Sequence, residues 1–168
     1  MYGIAVFPSK EVQEFANQFR RRYDPHYLFI EPHLTIHSSH QWNESEVQSV
    51  TTHLQHVLSS LKRFPLHFNR FSSFYPVNNV VYMALSDPAP IQKLYHAIHN
   101  EWLTPPISQY IFTPHVTVAQ GLGDDELHDV LSSLRSSRLD LRCTINQVEL
   151  LQQKEDGVWH KNRSFQLQ

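Results

Sequence analysis

The sequence predicts an α+β fold made of two similar lobes, and two observations carry this prediction. Short β-prone segments alternate with amphipathic helical stretches along all 168 residues. A His-x-Thr strand, a polar turn, an amphipathic helix and further strands occur once from Phe29 and again from Phe112. No low-complexity segment or flexible linker interrupts the chain. We therefore expect one two-lobed domain over residues 1–168, with two mostly antiparallel sheets facing each other across a central cleft and helices outside.

The first half of the chain contains three predicted strands and two predicted helices. The strands are short and apolar, and they cover residues 2–7, 33–38 and the segment from Pro65 to Phe71. Ser9 and Asn43 are the expected helix caps, because each precedes apolar residues that recur three and four positions apart. Arg20, Arg21 and Arg22 fall in the last turn of the first helix, where cations interact favourably with the helix dipole. A phosphate-binding patch is the alternative interpretation of this basic triplet.

The second half repeats this alternation and then ends in strands. Pro88 and Pro90 open a helix whose apolar stripe runs from Ile91 to Trp102, and the sequence TPP at 104–106 ends it. A second helix starts at Asp124 or Asp125. The predicted strands lie at residues 80–86, 115–119, 139–145 and 148–152, with a last strand near 164–168.

The composition limits the classes of protein to consider. The formal net charge of −2 gives no global bias toward nucleic acid. A single cysteine, Cys143, excludes an intrachain disulfide and suits a reducing compartment. No apolar run approaches membrane-spanning length, and the first residues lack the basic start of a signal peptide. We therefore expect a cytoplasmic domain with no membrane partner and no obligatory protein partner.

A short motif, Pro-His-apolar-Thr-apolar, occurs twice, as PHLTI at 32–36 and PHVTV at 114–118. In a strand, residues i and i+2 point to the same face. Leu34, Ile36 and their counterparts in the second motif then enter a core. His33 and Thr35 project together onto the opposite face, and His115 and Thr117 do the same on the second strand. Two such strands that meet across a pseudo-twofold axis bring two imidazoles and two hydroxyls into one small volume.

This set of groups matches the hydrolysis of a cyclic phosphodiester. The reaction needs a base for the attacking water, an acid for the leaving alkoxide, and hydrogen-bond donors for the nonbridging oxygens. Histidine, with an ordinary pKa near 6.5, serves either acid–base role near neutral pH. One histidine must be neutral and the other protonated, so a bell-shaped pH–rate profile is expected, and no metal or other cofactor is required.

The two motifs resemble those of the two-histidine (2H) phosphoesterase superfamily, which includes LigT-like 2′,5′-RNA ligases and cyclic nucleotide phosphodiesterases. The segments YGIAVFPS, RRYDPHY and DDEL further resemble a small bacterial branch of predicted phosphoesterases, and the resemblance covers essentially the whole chain. It implies that His33 and His115 are the catalytic acid and base, and that Thr35 and Thr117 contact the phosphate. Gln120 stands where an arginine is common in the RNA ligase branch, which argues against a charged contact there and against long RNA substrates.

The resulting hypothesis is a metal-independent phosphoesterase that acts on a cyclic phosphodiester or 2′,5′-phosphodiester of a nucleotide or RNA end. The alternatives are a nucleotide- or RNA-binding module with little turnover, and a metal-dependent hydrolase. A strand separates His33 from His37 by about 13 Å, so joint ligation of one metal by these two is not expected. His37 shares the predicted face of His33 and is therefore a candidate substrate contact, with a solvated strand-end histidine as the alternative.

Several other residues have a structural and a functional interpretation. Cys143 alternates with Leu141 and Ile145 and is predicted to be a buried small hydrophobe. The aromatic loop residues Phe74, Tyr75 and Tyr110 either stack a nucleobase or pack at the lobe interface.

Overall fold

The structure is a computed structural model that describes residues 1–105 and 111–168. Its eight strands are β1 (Tyr2–Val6), β2 (Leu34–His40), β3 (Phe64–Ser73), β4 (Val81–Leu85), β5 (His115–Ala119), β6 (Leu141–Ile145), β7 (Gln147–Gln153) and β8 (Trp159–Gln166). Its four helices are α1 (Lys10–Tyr23), α2 (Glu44–Leu58), α3 (Ala89–Ile98) and α4 (Asp124–Arg135).

The strands form two four-stranded sheets in which every neighbouring pair is antiparallel. Sheet A has the order β2-β1-β7-β8, and sheet B has the order β5-β4-β3-β6. In both sheets the His-x-Thr strand lies at an edge beside the strand that precedes it along its half of the chain. The predicted duplicated α+β fold is therefore confirmed, and the repeat is visible in the strand order.

The helices pack against both sheets. Helix α1 follows β1 of sheet A but contacts β5 and β6 of sheet B, whereas α4 contacts β3 and β4. Helix α2 lies against α3 and β8. One hydrophobic cluster includes buried residues of both sheets, among them Leu34, Phe68 and Val116. Because α1 crosses from one sheet to the other, its C-terminal turn reaches the edge strand β5.

Local chemistry explains where the second helix begins. The Asn43 side chain accepts a hydrogen bond from the Glu46 backbone N–H at 2.9 Å, and the Glu46 carboxylate accepts one from the Asn43 N–H at 2.8 Å. This reciprocal capping box satisfies two backbone donors that a helix N-terminus otherwise leaves unpaired. The predicted cap at Asn43 is thus confirmed.

Two predicted boundaries are wrong. The stripe that ends at Trp102 overestimates α3, which ends at Ile98 with His99 as its C-cap. Trp102 is 53% exposed in the following turn. The last strand, β8, is longer than predicted, because it begins at Trp159. Most of its residues are polar and exposed. Residue 106 of the predicted helix-breaking TPP lies outside the described residues.

The described parts of the chain, 1–105 and 111–168, contain no helix that is both long and apolar enough to cross a membrane.

Candidate functional site

The two histidine motifs lie on the edge strands that face each other. His33 immediately precedes β2, His115 is the first residue of β5, and β2 and β5 are in contact. The apolar motif residues are fully buried, with Leu34 and Val116 both at 0% exposure. Thr35 and Thr117, like the two histidines, are half-buried. The predicted alternation therefore holds on both strands.

Both imidazoles are anchored in the same way. His33 Nδ1 lies 2.8 Å from the carbonyl oxygen of Glu31, and His115 Nδ1 lies 2.7 Å from the carbonyl oxygen of Thr113. A carbonyl oxygen only accepts, so Nδ1 is the donor in each pair. The neutral form of each ring then keeps its Nε2 lone pair free to take a proton. Each lobe thus presents one oriented imidazole as a base, or as an acid once Nε2 is protonated.

The surroundings lower the pKa of both rings. Burial is the largest cause at His33 and lowers its pKa to about 4, with Arg20 and His115 as further positive neighbours. Burial also lowers the pKa of His115. Hydrogen bonds to the two carbonyl oxygens oppose these shifts. His33 is therefore neutral near pH 7, as a base must be.

A cavity of about 550 Å³ lies beside these groups. His33 and Thr35 from sheet A, and Thr117 from sheet B, line it. His115 does not line this cavity but stands two residues before Thr117 on the same strand, and its charge acts on the pKa of His33. The volume lies within the usual range for small-molecule sites and is large enough for a nucleotide.

A buried polar network that sequence reasoning missed closes one side of the cavity. Arg20 Nε donates to Asp24 Oδ2 at 3.0 Å, and Gln120 Nε2 donates to Asp24 Oδ1 at 2.7 Å. A second Arg20 nitrogen donates to the carbonyl oxygen of Ile30 at 2.6 Å. Arg20, Asp24 and Gln120 all line the cavity. The basic triplet does lie in the last turn of α1, as predicted, but Arg20 is only 2% exposed and ties that turn to the loop before His33.

The two lobes differ in what surrounds the motif. In sheet A the residue opposite Thr35 is the small Ala5, which lines the cavity. In sheet B the residue opposite Thr117 is Tyr82. The Phe74 ring stacks on Tyr82 with centroids 4.4 Å apart and meets the His115 ring edge-on at 4.9 Å. Sheet A is therefore open where sheet B is filled by aromatic rings.

Of the three aromatic loop residues singled out from the sequence, Phe74 packs against Tyr82 and His115 on sheet B. Tyr75 is 40% exposed and contacts His128, and Tyr110 lies outside the described residues.

The ring of His37 packs against Trp42 and His99. The β1–β2 register shifts at Ile4, and His37 is only 2% exposed. His37 Nδ1 lies 3.0 Å from His99 Nε2, and the ring stacks on Trp42. The prediction that alternation sets His33 and His37 on one face is overridden by this irregularity. His37 still borders the cavity, and a substrate contact from it remains a prediction.

Within residues 1–105 and 111–168, no group of three histidine, cysteine, aspartate or glutamate side chains is arranged to hold a metal ion. Cys143 is half-buried, and burial raises the pKa of its thiol, which opposes a nucleophilic role.

Known proteins share both the sequence and the architecture. Residues 8–157 match the model of the 2′-5′ RNA ligase superfamily. A Bacillus licheniformis protein named "Putative phosphoesterase" is 40% identical over 98% of this chain and 96% of its own length. A Geobacillus protein of the same name is 35% identical over 98% and 94% of the two chains.

Solved structures give the same fold. Escherichia coli LigT complexed with 3′-AMP superposes with a TM-score of 0.76 at 12% identity, covering 99% of this chain and 97% of LigT. A Thermus thermophilus protein superposes with a TM-score of 0.68 at 16% identity, over 99% and 97% of the two chains.

Proposed function

Because this chain belongs to the 2′-5′ RNA ligase superfamily of two-histidine phosphoesterases, we propose that it hydrolyses a phosphodiester of a nucleotide or RNA end. The bond is a cyclic phosphodiester or a 2′,5′-phosphodiester, and the two histidines supply general acid and base without a metal. The observation that carries this proposal is the matched pair of His-Thr units, each with Nδ1 held by a backbone carbonyl.

In the proposed mechanism one neutral imidazole accepts a proton from water through Nε2 as the water oxygen attacks phosphorus. The other imidazole, protonated, gives its Nε2 proton to the departing ester oxygen, so the charge balances across the step. Thr35 and Thr117 donate hydrogen bonds to the nonbridging oxygens, where negative charge develops in the transition state.

The difference between the lobes supports His33 as the base and His115 as the acid. Burial is the main cause that lowers the pKa of His33 to about 4; the charge of Arg20 adds to this shift, and Asp24 beside it opposes it. The pKa of His115 is also lowered by burial, but Arg20 is not among the causes of its shift. An anionic phosphodiester bound between the two rings favours protonation of the acid, because an opposite charge stabilises the imidazolium. We therefore expect the acid to acquire its proton together with the substrate.

A nucleotide is the substrate class that the cavity supports. The cavity combines apolar walls from Phe29, Leu151 and Trp159 with polar groups of Arg20 and Gln120. This mixture is typical of nucleoside-binding sites. LigT, which shares the fold, has been crystallised with 3′-AMP. The single cysteine suits a reducing compartment, which supports a cytoplasmic location for this reaction.

The test is hydrolysis of 2′,3′-cyclic nucleotides and of cyclic-ended oligonucleotides with EDTA present. We expect turnover by the wild type, with each of His33→Ala and His115→Ala slower by roughly 10²–10⁴-fold. If no such compound is hydrolysed, or if either variant keeps full activity, the two-histidine mechanism is wrong. Inactivation by EDTA would instead indicate a metal-dependent hydrolase.

A further inference from the structure

A second cavity, of about 280 Å³, adjoins the first on sheet A. Both are lined by Ile30, Leu151 and Trp159, so the two spaces are neighbours that share a wall. The second cavity is also lined by Phe7 and Lys161. Neither residue has a role in the chemistry proposed above.

Lys161 holds a positive charge near the catalytic centre. Its Nζ lies 4.8 Å from the centroid of the Phe7 ring, and the Phe7 ring lies 6.0 Å from the ring of His33. The two distances place the ammonium no more than about 11 Å from the centre of the His33 ring, close enough for two phosphates of one substrate to reach both groups. The aromatic face favours the cation at that position.

The charge of Lys161 is available to a ligand. In the described parts of the chain no carboxylate oxygen lies within salt-bridge distance of its Nζ. The other charged group on the cavity wall is Glu31, whose carboxylate accepts a hydrogen bond from Gln13 of α1. By contrast, Arg20 in the larger cavity is already paired with Asp24.

We propose that Lys161 and the second cavity bind a second phosphate of the substrate, one nucleotide unit away from the phosphate that is cleaved. This inference rests on the proposed function and narrows its substrate class to nucleotides with at least two phosphates, such as the end of an oligonucleotide. Gln120 at the end of β5 is uncharged, and its amide is bound to Asp24. The cationic contact with the substrate's backbone therefore comes from β8 of sheet A, and not from the end of β5.

The experiment compares two ligands that differ by one phosphate: adenosine 2′,3′-cyclic phosphate and its 5′-phosphorylated form. The variant is Lys161→Met, which keeps an unbranched chain over Phe7 and removes the charge. Lys93→Met, at an exposed position of α3, is the matched control for net charge. The readouts are kcat/KM for each ligand and, separately, Kd for each ligand by calorimetry with the His33→Ala variant.

We expect the protein to prefer the 5′-phosphorylated ligand by about tenfold at low salt, and the preference to shrink as salt rises. Lys161→Met loses this preference and keeps kcat/KM for the singly phosphorylated ligand, whereas Lys93→Met changes neither value. Equal affinity of the parent protein for both ligands, or an unchanged preference in Lys161→Met, would overturn the inference. Turnover of neither ligand would reject the proposed function, while the calorimetric ratio would still decide the role of Lys161.

Discussion

The two lobes carry the same His-x-Thr motif on corresponding edge strands, β2 and β5, yet the motif has different surroundings in each lobe. In sheet A, Ala5 lies opposite Thr35 and leaves a cavity open. In sheet B, Tyr82 lies opposite Thr117, and its ring and that of Phe74 pack around His115. The duplication thus gives both lobes the same pair of polar side chains, whereas unlike residues on the adjacent strands give the two pairs different surroundings.

The largest expected effect on substrate binding comes from filling the open lobe. Ala5→Leu adds side-chain volume at the cavity wall, and we expect KM for a 2′,3′-cyclic nucleotide to rise about tenfold or more, the equivalent of ~1.4 kcal/mol of binding free energy. Steady-state kinetics measures this, with methyl p-nitrophenyl phosphate as a small ester that does not need the cavity. Its kcat/KM should change little.

The matched control is Tyr82→Phe, which keeps the ring that fills sheet B and removes only a hydroxyl. Thermal unfolding of each variant checks that the fold persists. Equal KM values for the nucleotide in Ala5→Leu and the parent protein would mean that the substrate does not occupy the open lobe.

The motif's own geometry could be predicted from the sequence, because strand periodicity fixes which residues share a face. Leu34 and Val116 are buried and Thr35 and Thr117 are half-buried, as alternation requires. Asn43 was also predictable, since a capping box is a local device.

What could not be predicted depends on contacts between distant segments. In the sequence, Arg20 resembles an ordinary cation in the last turn of a helix. Its role in a buried network depends on the packing of α1 against sheet B, which brings Asp24 to Gln120, 96 positions away. His37 leaves the predicted face because of a register irregularity, which period-two reasoning does not contain. That Ala5 lies opposite Thr35 and Tyr82 opposite Thr117 is known only from the strand pairing.

A further prediction concerns the stability of the fold against acid, to which the buried His37 of β2 contributes. Burial lowers the pKa of His37 to about 4, with neighbouring His99 as a further cause. The folded pKa lies below the unfolded value near 6.5, so the unfolded chain binds more protons between these two values. The stability is complete above about pH 6.5 and is lost as pH falls toward 4.

Urea unfolding at pH 7 and pH 5 measures this contribution. We expect the free energy of unfolding to be lower at pH 5, with the buried ring of His37 responsible for about 2 kcal/mol of the decrease. In His37→Gln the decrease should shrink by that amount, whereas replacement of the exposed His160 should leave it unchanged. A decrease of the same size in His37→Gln would show that this ring is not protonated on unfolding.

Esters with different leaving groups test whether the two histidines, one from each lobe, have different roles. A p-nitrophenyl ester has a leaving group that departs without a proton, so its hydrolysis needs the base but not the acid. His115→Ala is predicted to lose roughly 10²–10⁴-fold on a 2′,3′-cyclic nucleotide but less than about tenfold on a nucleoside p-nitrophenyl phosphodiester, while His33→Ala loses heavily on both. Two results would contradict the assignment of His33 as base and His115 as acid. One is an equal loss of activity for both variants on both esters; the other is a small loss on the p-nitrophenyl ester for His33→Ala and a large one for His115→Ala.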